Sequence, residues 1–340
     1  MGEHLPRGIL TLGQHMNAND LFEDLQQGDR VALARAITLV ESTRTADRPM
    51  AAELLQHALR TGSGSVRMGI TGIPGVGKST LIDALGSHLI TRGHRVAVLA
   101  IDPSSTRSGG SILGDKTRME RLAVDERAFI RPSPSGGTLG GVARRTREAM
   151  LLCEAAGHDR ILIETVGVGQ NEAAVDQLTD LNLLLMIGGA GDGLQGIKRG
   201  IMEVADLIAI NKTDGDNEPR NQRTAMDLRQ AIALLPPRDN GHRPEVLLCS
   251  AATGKGIARL ADALDHIAGR DLESGQRTRR RQEQARWWMR TAVEEALVDD
   301  FYRNEHIRNL LPGMEQRVRL GEINPFDAAQ ELLRLYGHPG

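Results

Sequence analysis

Residues Gly72-Ile73-Pro74-Gly75-Val76-Gly77-Lys78-Ser79 have the types and spacing of a complete phosphate-binding loop. The glycines let backbone N–H groups curl around phosphate oxygens in conformations that a side chain would obstruct. In such a loop Lys78 reaches the β and γ phosphates and the Ser79 hydroxyl ligates Mg²⁺, with Thr80 following in the first helical turn. The flanks supply what must position them. Val66-Arg67-Met68-Gly69-Ile70-Thr71 reads as a short buried strand, and Leu81, Ile82, Leu85, Leu89 and Ile90 recur at helical spacing. The helix that follows points its N-terminus, and its partial positive charge, at the same anion. A glycine-rich turn with an incidental lysine needs neither flank. Strand, loop and helix together imply a bound nucleoside triphosphate.

Asn211-Lys212-Thr213-Asp214 follows the apolar run Asp206-Leu207-Ile208-Ala209-Ile210, so it falls at the carboxyl end of a strand, where open α/β sheets bind ligands. An aspartate there accepts two hydrogen bonds from N1–H and the 2-amino group of guanine. Adenine offers no such pair and would leave the carboxylate unpaired. Asn211 is suited to tie this loop to the phosphate loop, and the Lys212 stem to lie along the purine face. Ser250, Ala251 and Ala252, after Cys249, end a further apolar run and offer backbone N–H groups to the guanine O6. The implied ligand is GTP or GDP.

Groups that sense a γ-phosphate are expected between these motifs. Arg160-Ile161-Leu162-Ile163-Glu164-Thr165-Val166-Gly167 reads as a strand ending in a carboxylate, Glu164, suited to act on Mg²⁺ or on the attacking water. Gly167 is expected to give its N–H to the γ-phosphate. Asp102 ends the run His94-Arg95-Val96-Ala97-Val98-Leu99-Ala100-Ile101, and Asp115 follows a glycine-rich stretch. Both are candidate Mg²⁺ and catalytic residues beside Lys78 and Glu164, with helix capping or turn formation as the alternative.

These strings resemble the MeaB/ArgK-type GTPases, a SIMIBI-class P-loop family that serves adenosylcobalamin-dependent acyl-CoA mutases, notably methylmalonyl-CoA mutase. The resemblance rests on Thr71 through Thr80, Asp102-Pro103-Ser104-Ser105, Ile112-Leu113-Gly114-Asp115-Lys116-Thr117-Arg118-Met119 and Arg131-Pro132-Ser133-Pro134. It continues in Glu164-Thr165-Val166-Gly167-Val168-Gly169-Gln170 and Gln195-Gly196-Ile197-Lys198-Arg199-Gly200, and so covers the central two-thirds of the chain in order. It implies a GTP-hydrolysing chaperone that assists the mutase in cofactor loading, protection or reactivation, and a homodimer. It also implies that the Gly188-to-Lys198 stretch is an additional switch, with Gln195 and Lys198 coupling nucleotide state to the partner. Asn171, where serine is expected, and Thr106-Arg107 depart from the family pattern away from any phosphate or base contact.

The remainder of the chain must hold these loops. The expected fold is α/β, a P-loop NTPase with a mostly parallel sheet flanked by helices, plus N- and C-terminal helical extensions. The expected boundaries are 1–64 for the N-terminal extension, 65–270 for the GTPase domain and 271–340 for a C-terminal dimerisation arm. Asp20 to Gln27, Arg30 to Ser42 and Pro49 to Arg60 read as helices, and Thr61-Gly62-Ser63-Gly64-Ser65 as a linker. Leu139 to Ala156 and Pro219 to Leu235 read as helices of the central zone. After Asp271, the run Arg277-Thr278-Arg279-Arg280-Arg281 reads as the solvated basic face of a helix. Adjacent Trp287 and Trp288 point about 100° apart on such a helix, an arrangement that suits one facing its own domain and the other a partner, and equally suits packing of both within the chain.

At 340 residues, a net charge of -2 and 25% charged residues, composition gives no reason to invoke nucleic acid or a membrane. No apolar run reaches transmembrane length and the first residues lack a signal-peptide profile, so a cytoplasmic protein is expected. Two cysteines, Cys153 and Cys249, lie in apolar elements and read as buried thiols. The ten histidines show no paired spacing, which weighs against the first alternative, a nickel-type metal-delivery GTPase. A second alternative, a kinase or ATPase linked to amino-acid transport, sits poorly with the intact guanine motif.

Overall fold

Runs of Val, Ile and Leu that are apolar on both faces form strands that must be covered on both sides, and they do so here. A computed structural model describes residues 17–62, 64–101, 119–132, 139–165, 175–188, 204–234 and 241–337. The strands are β1 (Val66–Gly72), β2 (Val96–Ile101), β3 (Ala128–Arg131), β4 (Arg160–Thr165), β5 (Leu181–Ile187), β6 (Leu207–Asn211) and β7 (Glu245–Leu248). They form one seven-stranded sheet in the order β3-β2-β4-β1-β5-β6-β7. Every pairing in it is parallel.

The helices that precede and link these strands are α1 (Ala18–Gln26), α2 (Arg30–Val40), α3 (Arg48–Thr61), α4 (Lys78–Thr91), α5 (Glu120–Val124), α6 (Leu139–Ala155), α7 (Glu218–Leu234) and α8 (Ile257–Glu273). Side-chain alternation assigns the faces. Met68, Ile70, Leu183, Leu185, Leu207 and Ala209 point to one core, which α4 and α8 close with Leu81, Leu85, Leu260 and Leu264. Leu184, Met186, Ile208 and Ile210 point the other way, under Ala225, Leu228 and Ile232 of α7. Each such fully buried leucine or isoleucine contributes about 1.5–3 kcal/mol. Asn17 caps α1 by accepting the Asp20 N–H, and Asp29 caps α2 by accepting those of Val31 and Ala32. The N-terminal helices pack on one another and on α6.

The strand order places a switch at β1. From β1 the chain crosses to β2 and β3, returns through β4, then passes β1 to reach β5. The carboxyl ends of β1 and its neighbours therefore open one crevice, the position at which such sheets bind ligands.

The described chain forms two compact units, residues 1–281 and 282–340. Helix α9 (Gln276–Arg303) begins in the first and ends in the second, which adds α10 (Glu305–Arg319) and α11 (Pro325–Gly337). In the second unit Ile307, Met314, Ala328 and Leu332 form a small core flanked by Phe301 and Tyr336. The basic run at the start of α9 differs from the expected solvated face. Arg280 donates to Thr179 O at 2.9 Å and to Asp176 at 2.6 Å, while Arg281 grips both oxygens of Asp180 at 2.7 Å. The carboxylates that claim these arginines lie about a hundred residues away along the chain, so no local charge pattern signals them.

Candidate nucleotide site

The phosphate loop turns sharply between β1 and α4 because its glycines adopt conformations closed to other residues. Gly77 has φ +98°, and a Cβ there would lie 2.7 Å from Asn211 Nδ2. Gly72 has φ +153°, and its Cβ would meet Leu185 O at 2.4 Å. Side chains are thus excluded where the loop turns against β5 and the base motif, so the backbone can approach a ligand closely, although the Val76 N–H donates to Ile73 O at 3.3 Å.

Lys78 is buried, with Nζ donating to Gly72 O at 2.8 Å and to Ile73 O at 3.2 Å. Burial lowers its pKa, and the Glu164 carboxylate pulls it back up. The Ser79 hydroxyl donates to Glu164 Oε1 at 2.9 Å. Glu164 itself is buried at the end of β4. A hydroxyl and a carboxylate oxygen held side by side are hard donors, the set that would suit a magnesium ion. Ile73, Pro74, Gly75 and Val76 lie on the same turn, and Thr80 in the first turn of α4.

The base motif is lashed to this loop at two points. Asn211 Nδ2 donates to Val76 O and Lys212 Nζ to Gly75 O, each at 2.9 Å. Lys212 has φ +58°, the one positive φ outside glycine among the described residues. Such a conformation persists only where surrounding bonds over-determine it, and the Gly75 bond and its bonded neighbours, Asn211 and Thr213, supply them. Asp214 occupies the N-cap of a 3₁₀ turn, yet its side chain caps nothing. The carboxylate is therefore not the turn-former that its position suggests.

Of the three residues after Cys249, two have committed their N–H groups. Ser250 donates to Lys255 O at 2.8 Å and Ala251 to Asn211 Oδ1 at 2.9 Å. Ala252 N–H has no partner among the described residues, which narrows the expected O6 donor to it. Cys249 is buried, and burial raises its thiol to about 12. Asp102, Asp115, Gly167, Gln195 and Lys198 lie outside the described residues. The structure thus brings together Lys78, Ser79, Glu164, Asn211, Lys212, Asp214 and Ala252 around one crevice. Sequence reasoning missed the Lys212–Gly75 tie and a buried amide, Asn221, behind the base motif; neither has a short-range signature.

A family model described as methylmalonyl Co-A mutase-associated GTPase MeaB matches residues 33–306. The chain belongs to this family. A probable GTPase of Mycobacterium tuberculosis is 52% identical over 308 residues, covering 91% of this chain and 92% of the relative. The mitochondrial methylmalonic aciduria type A homolog of Mus musculus is 46% identical over 326 residues, covering 93% of this chain and 79% of the relative. The crystal structure of a LAO/AO transport system kinase superposes with a TM-score of 0.75 at 35% identity, over 96% of this chain and all of that one. The MeaB-family chain is accordingly a P-loop GTPase by kinship as well as by motif. Among its described residues no helix is long and apolar enough to cross a membrane, and no cluster of three metal-ligating side chains occurs.

Proposed function

We propose that this chain binds and hydrolyses GTP with Mg²⁺ and uses the cycle to chaperone an adenosylcobalamin-dependent acyl-CoA mutase of the methylmalonyl-CoA type, as a homodimer. The observation that carries the nucleotide is the Asp214 carboxylate, uncommitted within its own turn, on a base motif tied to the phosphate loop by Asn211 and Lys212. Kinship with a family described as mutase-associated, and with a methylmalonic aciduria homolog, supports the partner.

In this reading the phosphate-loop amides and Lys78 hold the β and γ oxygens, releasing the lysine from Gly72 and Ile73. Ser79 and Glu164 hold the metal, with Asp102 and Asp115 as further candidates, and Gly167 meets the γ-phosphate. Bound Mg²⁺ supplies charge neutralisation on the β and γ oxygens. Glu164 orients the attacking water. Asp214 and the Ala252 N–H read the guanine edge. Gln195 and Lys198 carry the nucleotide state to the mutase. Catalysis of this kind rests on positioning and electrostatics, so a partner that completes the site accelerates it.

The test is single-turnover GTP hydrolysis with and without methylmalonyl-CoA mutase, for wild type and Lys198→Ala. Wild type should be slow alone and stimulated by the mutase, and the variant should keep the basal rate and lose most of the stimulation. Absence of stimulation in wild type would refute the chaperone reading.

A further inference from the structure

One buried amide touches the site without facing the nucleotide. Asn221, in the first turn of α7, is 2% exposed. Its Nδ2 donates to Asn211 O at 3.1 Å and to Thr213 Oγ1 at 2.9 Å. Its Oδ1 accepts the N–H of Gly188, the residue after β5, at 2.9 Å. Gly188 is shaped for this contact: a Cβ there would lie 2.0 Å from Asn221 Oδ1 and 2.9 Å from Asn221 Cα. The two residues select each other, glycine at 188 and asparagine at 221.

We infer that Asn221 is a positioning residue that couples guanine recognition to the carboxyl end of β5. This rests on the reading of Asn211 to Asp214 as the guanine site. One planar amide with two rotatable torsions holds three groups, two on the base motif and one on β5. A shift of the Asn211–Thr213 backbone when the base docks therefore moves the group that holds Gly188, because the amide cannot turn toward one partner without leaving another. Lys212, at φ +58° between those two contacts, is kept in place by the same bonds. The network is closed on its other sides: Asn211 Nδ2 is bound to Val76 O, and Thr213 Oγ1 donates to Ile210 O at 3.0 Å. Coupling of this kind is reciprocal, so whatever holds the end of β5 also tunes base affinity. Aspartate at 221 would keep the acceptor for Gly188 and lose the donor to Asn211; alanine would lose both.

The experiment uses the full chain and two probes, GDP and inorganic tripolyphosphate, the second filling the phosphate loop without a base. Binding is measured for wild type, Asn221→Ala and Asn221→Asp, and hydrogen–deuterium exchange is followed in a peptide covering Ile187 and Gly188. In wild type, GDP should slow exchange there and tripolyphosphate should not. Both variants should lose at least tenfold in GDP affinity and keep tripolyphosphate affinity within about twofold. At saturating GDP, Asn221→Ala should show no slowing at Gly188, while Asn221→Asp retains some. Equal losses for both ligands, or full GDP-dependent protection at Gly188 in Asn221→Ala, would overturn the inference and leave a merely structural asparagine. A wild type that binds tripolyphosphate yet does not prefer GDP to ADP would instead overturn the guanine reading beneath it.

Discussion

A carboxylate at the head of a turn ordinarily caps it, and Asp214 does not. Its value lies in what it can accept: N1–H and the 2-amino group of guanine together. Asp214→Asn exchanges one acceptor for a donor and suits xanthine, which carries a carbonyl at position 2. GDP binding should weaken at least a hundredfold while XDP gains, because a buried polar pair mismatched to its ligand is costly; equilibrium binding of GDP, XDP and ADP checks it. A second residue-scale effect lies outside the site. His158 is buried against Cys153 O at 3.1 Å, and burial lowers its pKa to about 4 from an ordinary 6.5. The folded state thus holds the neutral ring. Its contribution is fully present above about pH 6.5 and is lost as pH falls from there toward about 4, by about 3 kcal/mol in all. Stability measured by urea unfolding from pH 7 to 4 should decline less steeply in His158→Gln than in wild type.

At the scale of elements, what is local is legible and what is distant is not. The phosphate loop with its strand and helix, the base motif at a strand end, and the three N-terminal helices each declare themselves within a dozen residues, through glycine spacing, capping and apolar period. The four residues of β3, Ala128–Arg131, are too few to show a period, and they become a strand only because β2 offers an edge. Asn221 reads as one polar residue among many on an amphipathic helix, since its partners are set by how α7 lies against β5 and β6. The same holds for the root of α9. Arg281 looks like solvated charge in sequence, yet it joins Asp180, whose Oδ2 also accepts the Arg67 N–H at 2.9 Å and whose side chain is 4% exposed. Removing one member of such a pair strands the other, at about 3 kcal/mol or more. Arg281→Ala should therefore lower the urea midpoint markedly without changing the slope, whereas Arg286→Ala, at an exposed pair with Glu283, should cost under about 1 kcal/mol.

At the scale of the molecule, the proposed homodimer needs a surface, and α9 presents one. Met289, Val293 and Leu297 recur every four residues and are 61%, 54% and 58% exposed. That spacing puts them on one side of the helix, beside Trp287, which is 38% exposed and packs edge to face on buried Trp288 at 4.8 Å. An isolated exposed leucine needs no explanation, but three exposed apolar side chains on one side of a helix are where the proposed dimer would close. The small core of α10 and α11 does not use it, being built from Ile307, Met314, Ala328 and Leu332. Changing Met289, Val293 and Leu297 together to glutamate places three like charges where a second copy would bury them, which costs far more than the same charges in water. The nucleotide site lies wholly on residues before 253, so GDP binding should be unaffected. Light scattering should show a dimer for wild type and a monomer for the triple variant, with equal GDP affinity. A variant that keeps the mass of the dimer would move the interface elsewhere, and a monomeric wild type would remove the dimer from the proposed function.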